Sequence, residues 1–223
     1  MNKVAKIMAP VLWMLILISA CNDSDTTVTA YDEILNRPPY ADLTDSIKQE
    51  PGKAEFYFRR AILLNTNSLP EPALADFQKA WSLKKEEQYA LGVATLLLDK
   101  KPEEAITFLN TAIKDIPNSL LLQLSLARGY DAANKTEEAL KIGDMILEKN
   151  PEQVDVLKMK ADLLAKKGNT NEATAILEKA YTLTPFDVEL NYILALKYAE
   201  AKNSRVLALC DSLIRADSSG VHA

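Results

Sequence analysis

A repeat period of about 34 residues constrains this chain more than any other feature of its sequence. Three prolines recur at this interval, and an alanine precedes each of them by one constant spacing. The prolines are Pro117, Pro151 and Pro185, and the alanines are Ala105, Ala139 and Ala173. Two residue types that keep one phase over three cycles indicate a repeated structural unit. Because such a unit buries its apolar face only against its neighbours, the chain is predicted to fold as a stack of repeats.

The composition predicts that these repeats are helical. The chain has 223 residues, 48% of them hydrophobic, and only six are glycine. Alanine, leucine, lysine and glutamate are abundant, and these residues lose little conformational freedom in a helix. We therefore expect an all-α protein with enough apolar surface for a continuous core.

The residues within each period resemble the tetratricopeptide repeat family. Its motif places a small residue where two paired helices cross, an aromatic or aliphatic residue beside it, and a proline at the exit. Residues 120–153 carry Ala127, Tyr130 and Ala139 at these places, before the proline described above. The resemblance covers residues 39–215 and implies a right-handed superhelical solenoid of antiparallel helix pairs.

The repeat phase predicts the division of the chain. The predicted units are an N-terminal capping helix at 39–53, four repeats within 54–187 (54–85, 86–119, 120–153 and 154–187), a C-terminal capping repeat at 188–216 and a disordered tail at 217–223. Ala73 and Ala105 lie closer together than the later alanines of the series, so the junction after Leu83 is predicted to be two residues short. Gly143 stands where a bulky residue usually packs, which predicts either a thin spot or a close approach of another backbone. Leu207 replaces the usual alanine of the last unit.

The N-terminus has the pattern of a bacterial lipoprotein signal peptide. Lys3 and Lys6 precede an apolar run, Ile7–Ile18, which is too short to cross a hydrocarbon core of roughly 30 Å as a helix. The following residues, Ile-Ser-Ala-Cys at positions 18–21, resemble a lipobox. The resemblance implies a signal peptide at residues 1–20 and acylation of Cys21, with palmitate among the expected chains. The alternatives are an uncleaved anchor helix and an ordinary signal followed by a chance cysteine.

A flexible acidic tether is predicted at residues 21–38. Its first residues, Asn22–Asp25, resemble an export signal of Bacteroidetes surface lipoproteins, although a solvated polar linker is an equal alternative. One helical turn is expected at Asp32–Leu35. The expected location is therefore the bacterial cell envelope, lipid-anchored, in the outer membrane on its periplasmic or outer side.

Charge and composition argue against several kinds of function. The formal net charge is -5, and loss of a leader containing two of the 26 basic residues leaves 24 against 31 acidic residues, or -7. This balance disfavours nucleic acid as a partner. The two cysteines are far apart and the single histidine is His222, so no metal site, cofactor or catalytic constellation is expected. We predict that the protein is not an enzyme.

The family resemblance also implies a partner-binding groove along the first helix of each pair. The predicted groove residues are Phe58, Asn65, Leu97, Leu124, Arg128, Asp131, Lys158, Asp162 and Tyr192. This mixture of apolar residues and charges of both signs suits an amphipathic helix or a mixed peptide. For each residue the alternative is a solvated or intramolecularly paired side chain.

The expected function is a lipid-anchored scaffold that binds an envelope protein. The alternative is a structural lipoprotein subunit of an outer-membrane assembly or secretion machine.

Overall fold

The described part of the chain consists of helices joined by short turns. The computed structural model describes residues 31–220, and every regular element in that range is a helix. The helices are α1 (31–35), α2 (Ala41–Gln49), α3 (Ala54–Thr66), α4 (Pro70–Leu83), α5 (Glu87–Lys100), α6 (Pro102–Asp115), α7 (Leu120–Ala132), α8 (Thr136–Lys149), α9 (Val154–Lys166), α10 (Thr170–Leu183), α11 (Val188–Glu200) and α12 (Arg205–Gly220). None of them is long and apolar enough to span a membrane. The all-α prediction is confirmed for these residues, whereas the predictions about Cys21 and the rest of residues 1–30 lie outside them.

From α3 onward the helices form five consecutive pairs. Each helix packs against the next one in the chain, and each pair packs against the following pair. We call α3, α5, α7, α9 and α11 the inner helices, because they are the first members of their pairs. The core is therefore a continuous column between pairs, as a stack of repeats requires.

Small residues lie where paired helices cross. Ala61 and Ala73 lie in the first pair, Ala127 and Ala139 in the third, and all four are completely buried. A larger side chain there would separate the two helices, since close packing depends on ridges fitting into grooves. The predicted role of the periodic alanines is confirmed.

The turns inside four of the five pairs share one conformation. The turn residues Ser68, Asn134, Gly168 and Lys202 have positive φ angles between 52° and 85°. In each turn the next backbone N–H donates to the carbonyl five residues earlier, for example from Asn169 to Leu164 at 2.9 Å. This hydrogen bond satisfies a backbone carbonyl in the last turn of the helix and thereby caps the end of the helix.

The second pair lacks this turn residue. Helix α5 ends at Lys100 and α6 begins at Pro102. The buried alanines Ala61, Ala94 and Ala127 of successive inner helices are spaced one residue short of the repeat period, while later repeats keep the full period. The prediction that both missing residues belong to the junction after Leu83 is therefore wrong, since only one is lost there and the other is lost in the α5–α6 turn.

Gly168 provides a test of the turn geometry. Its φ is +85° and no atom lies within 4 Å of a Cβ built on it. Replacement by alanine is expected to lower the free energy of unfolding by about 1 kcal/mol, because an L side chain is disfavoured in the left-handed region. Urea denaturation measures the change. Gly52→Ala is the control, since Gly52 also has open space but no positive φ, and it should change stability by less than about 0.5 kcal/mol.

The N-terminal boundary differs from the predicted one. Helix α1 lies inside residues 21–38, which were predicted to be a flexible tether, and it confirms the single helical turn expected at Asp32–Leu35. Ile34 and Leu35 of this segment pack against the core of the first repeat. The Thr44 hydroxyl of α2 donates to the Leu35 carbonyl at 2.7 Å. Apolar burial and this hydrogen bond thus place residues 31–38 against the repeat array.

The C-terminal pair also departs from the repeat pattern. Leu209 of α12 is buried and Val206 is half-buried against the last part of the core. Leu207, in the alanine position, is 70% exposed. The inward face of α12 therefore begins one residue earlier than the repeat phase predicts, and the helix continues through residues 217–220, which were predicted to be disordered.

Candidate partner-binding groove

A cavity opens between three neighbouring inner helices. It has a volume of about 360 Å³ and is bounded by residues of α7, α9 and α11. We call it the central cavity. Its lining residues are Ala127, Arg128, Asp131, Asp155, Lys158, Met159, Asp162, Leu163 and Glu189.

Four of the nine predicted groove residues line this cavity. They are Arg128, Asp131, Lys158 and Asp162, which come from two inner helices one repeat period apart. A fifth, Tyr192, is 59% exposed on α11, one turn after the lining residue Glu189. The repeat register thus placed the four lining residues on one surface, and their contact with a partner stays a prediction.

Lys158 is paired within the protein. Its Nζ forms an ion pair with Glu189 of the next inner helix and lies 3.8 Å from Asp187. The hydrogen bond to Glu189, with the charges of Asp187, Glu189 and Asp155, raises the pKa of Lys158 above its ordinary value. Lys158 therefore stays charged and joins the fourth pair to the fifth.

A second lysine bridges two carboxylates at the rim. Lys166 Nζ lies 2.7 Å from Asp131 and 2.8 Å from Asp162. Hydrogen bonds to these two carboxylates raise the pKa of Lys166. Three of the predicted groove residues, Lys158, Asp131 and Asp162, thus have the intramolecular pairs that the sequence left open as the alternative.

Two charged groups in the cavity are not paired in this way. Arg128 and Asp155 form no hydrogen bond or ion pair through their side chains with any residue in the described range. Both are exposed. They are the charges that a partner can engage without breaking an internal ion pair.

Glu189 was missed at the sequence level. It occupies the same repeat position on α11 that Asp155 has on α9, one period earlier. The repeat register was carried into the last pair for Tyr192, and applying it at the position of Asp155 as well would have identified Glu189.

Leu97 and Leu124 do not line the groove as predicted. Leu97 is only 3% exposed and packs in the core of the first two pairs. The residue missing from the α5–α6 turn shifts the register of α5 by one, so Leu97 takes the core position that Leu164 has in α9. Leu124 is 6% exposed because it packs against Ile146 and Val156.

The corrected register assigns different residues of α5 to the groove positions of the repeat. These are Leu91, Thr95 and Leu98, which are half-buried or exposed, while Ala90 and Ala94 are buried. The shortened spacing of the inner-helix alanines was the available signal for this shift.

Phe58 and Asn65 lie at the N-terminal end of the array, away from the central cavity. The half-buried Phe58 ring packs against Tyr89 and Phe77, with centroids 4.9 and 5.7 Å away. Asn65 is exposed and lines a separate cavity of about 380 Å³, and Thr95, Leu96 and the predicted groove residue Leu97 also line it. Phe58, Asn65 and Leu97 therefore do not join the predicted residues that line the central cavity.

Among the described residues, no group of three or more histidine, cysteine, aspartate or glutamate side chains could hold a metal ion. The surface around the central cavity offers ionic, hydrogen-bonding and apolar contacts.

Comparison with protein families identifies the repeats. Residues 96–163 and residues 155–187 each match a tetratricopeptide repeat family model. No curated protein sequence matches the chain.

Comparison with solved structures supports the same fold. PilF of Pseudomonas aeruginosa is 18% identical with a TM-score of 0.62, and the match covers 84% of this chain and 87% of that one. YrrB, a tetratricopeptide-repeat protein described with an unusual peptide-binding site, is 21% identical with a TM-score of 0.54, covering 78% and 91%. TTC0263 of Thermus thermophilus is 19% identical with a TM-score of 0.57, covering 73% and 91%. At these identities the likeness concerns the fold: residues 96–187 match tetratricopeptide repeat models, and the described all-helical array has the fold of a tetratricopeptide-repeat solenoid.

Proposed function

We propose that this protein is a scaffold that is lipid-anchored through Cys21 at the bacterial cell envelope and binds a peptide or helix of a partner protein in the groove of its inner helices. The observation that carries the binding part is the central cavity, which three inner helices form and which keeps unpaired charges facing outward. The lipobox-like residues at positions 18–21 carry the anchoring part.

Two further observations support a protein partner. Exposed apolar side chains lie beside the cavity, and Tyr192 is of the residue type most often found at the centre of protein interfaces. YrrB, a structural neighbour, is described with a peptide-binding site. A peptide or helix would use both the charges and the apolar surface.

An alternative role is a permanent structural subunit of an outer-membrane assembly or secretion machine. The observation that favours it is the exposure of Leu207 and Ile214 on α12, the second helix of the last pair, where neither residue lines the central cavity. A permanent subunit contact at this end would cover both side chains. Purification with partners at a fixed stoichiometry would support this role.

The anchoring proposal predicts the behaviour of a Cys21→Ala variant. Without the thiol no acyl chain can be attached, and the apolar attachment to the membrane is lost. We expect wild-type protein to incorporate labelled palmitate and sediment with membranes, and the variant to do neither. A Cys210→Ala control should retain both properties. Membrane-bound Cys21→Ala protein at the wild-type level would contradict the anchor.

The groove proposal predicts opposite outcomes for two exposed apolar residues. Tyr192→Ala is expected to weaken partner binding at least about tenfold, since truncating a central aromatic contact commonly costs this much. Leu207→Ala is the matched control, because Leu207 is also well exposed but lies outside the groove. In-cell crosslinking of tagged protein, quantified by mass spectrometry, measures the captured partner. Loss with Leu207→Ala and retention with Tyr192→Ala would instead favour the structural-subunit role.

A further inference from the structure

The charges around the central cavity are unbalanced. Five carboxylates, Asp131, Asp155, Asp162, Asp187 and Glu189, surround or approach it. Three cations, Arg128, Lys158 and Lys166, face them. The region therefore has an excess of two negative charges.

The two lysines are already engaged by these carboxylates. Lys158 is held by Glu189 and Asp187, and Lys166 by Asp131 and Asp162. The raised pKa of each lysine has the same cause, the surrounding carboxylates. Both lysines are thus occupied, whereas the Asp155 carboxylate and the Arg128 guanidinium face the cavity without an ion pair to any described residue, so the excess negative charge of the region is not neutralised within the protein.

Apolar side chains lie on both sides of this acidic region. On α11, Tyr192 and Leu196 are four residues apart and therefore share one helix face, with exposures of 59% and 45%. On α7, Leu121 is 50% exposed at the repeat position that Asp155 has on α9. The groove thus presents carboxylates between an apolar pair on α11 and the single apolar residue Leu121 on α7.

We propose that the segment bound in this groove is amphipathic and basic: its apolar side chains contact Tyr192, Leu196 and Leu121, and a lysine or arginine enters the central cavity beside Asp155. The inference rests on the proposed function, because it names the chemistry of the partner in the same groove. An acidic segment would meet the net negative charge of this region and the Asp155 carboxylate, and like charges at an interface oppose binding.

The test compares two synthetic probes on the purified protein without its leader. One is an amphipathic helical peptide of leucine and lysine, and the other has the same pattern with glutamate in place of lysine. Fluorescence anisotropy at about 0.15 M salt measures both affinities, since long-range attraction is screened there. We expect the lysine peptide to bind at least about tenfold more tightly.

Variants that change the charge of the cavity in opposite directions test whether the preference for the lysine peptide arises there. Asp155→Lys should weaken the lysine peptide at least about tenfold, and Arg128→Glu should strengthen it, because each changes the charge of the cavity by two units. Glu148→Lys on α8 makes the same charge change as Asp155→Lys on an exposed residue outside the groove and should have less than about a twofold effect. A general attraction of the acidic protein for cations would make the two lysine variants equal and would overturn the inference.

The outcomes also separate this inference from the proposed function. Suppose that the glutamate peptide binds as tightly as the lysine peptide or more tightly, and that Tyr192→Ala abolishes this binding. This outcome would support the groove as the binding site and would overturn the proposal that the partner is basic. Failure of both peptides to bind would overturn the basic partner as well, while the crosslinking of Tyr192→Ala and Leu207→Ala would still decide whether the groove binds a protein.

Discussion

The variant Asp76→Leu is expected to lower the free energy of unfolding by about 3–5 kcal/mol. In the wild type, Arg60 of α3 donates to both carboxylate oxygens of Asp76 on α4, at 2.6 and 2.8 Å. Both side chains are buried. Removal of Asp76 leaves the guanidinium inside the protein without its counter-charge, and arginine cannot escape this cost by losing its proton.

The complementary variant Arg60→Met should cost less. Burial raises the pKa of Asp76 above its ordinary value of 3.8, and the pairing with Arg60 opposes part of this shift. Without Arg60 the carboxyl can therefore take up a proton and become neutral. A raised pKa means that Asp76 binds a proton more tightly in the folded protein than in the unfolded chain. Proton binding by Asp76 therefore stabilises the fold at acidic pH, and this contribution is lost as the pH rises through the raised pKa.

The double variant Arg60→Met, Asp76→Leu should recover most of the stability. Two apolar residues replace two buried charges, and such exchanges are often neutral or stabilising. The Thr44 hydroxyl, which accepts from Arg60 at 2.9 Å, would still donate to the Leu35 carbonyl. Urea unfolding of all four proteins gives the coupling energy. Additive losses in the double variant would show that the pair is not the source of the effect.

The variant Gly92→Ala is expected to destabilise the protein although alanine favours helices. A Cβ on Gly92 would lie 2.5–2.9 Å from three ring atoms of Phe77. This ring is buried and packed against Phe58, so it has little room to move. The overpacking costs about 1–3 kcal/mol, which exceeds the roughly 1 kcal/mol gained from helix propensity.

Gly143 is the control for this prediction. It lies in α8, and a Cβ there would make ordinary contacts with Met159 at 3.4 Å and Val156 at 3.8 Å. Gly143→Ala should therefore stabilise the protein by about 0.5–1 kcal/mol. Phe77→Leu should reduce the cost of Gly92→Ala in the double variant. Thermal and urea unfolding check both signs, and a stabilising Gly92→Ala would contradict the contact.

These two glycines show which packing contacts the sequence pattern can predict and which it cannot. Gly143 stood out because it departs from the repeat motif, yet two interpretations, a thin spot and a backbone approach, were both open. Gly92 gave no comparable signal. The difference between them depends on whether an aromatic ring or flexible side chains lie opposite, and that is decided by the neighbouring helix.

The candidate site was likewise predicted only in part, because contacts between repeats decide which residues reach it. The repeat register correctly placed Arg128, Asp131, Lys158 and Asp162 on one surface. It failed at Leu97 because the 34-residue phase was taken from the second helices alone, and the shorter spacing of Ala61, Ala94 and Ala127 was recognised only once the structure showed that these alanines are the buried ones of the inner helices. A shift of one residue rotates a side chain by about 100° around a helix, which moves it from the groove into the core.

The sequence by itself determined the helical repeats, their length and the small residues at helix crossings, because these depend on local propensity and on a contact that recurs in every unit. Only the tertiary structure decided the register of α5, the exposure of Leu207 and which groove charges are already paired. The ion pairs of Lys158 and Lys166 join successive inner helices, over separations of 31 and 35 residues. Such contacts form only when neighbouring repeats stack, since the side chains that meet across an interface are selected by the geometry of packing and not by local sequence.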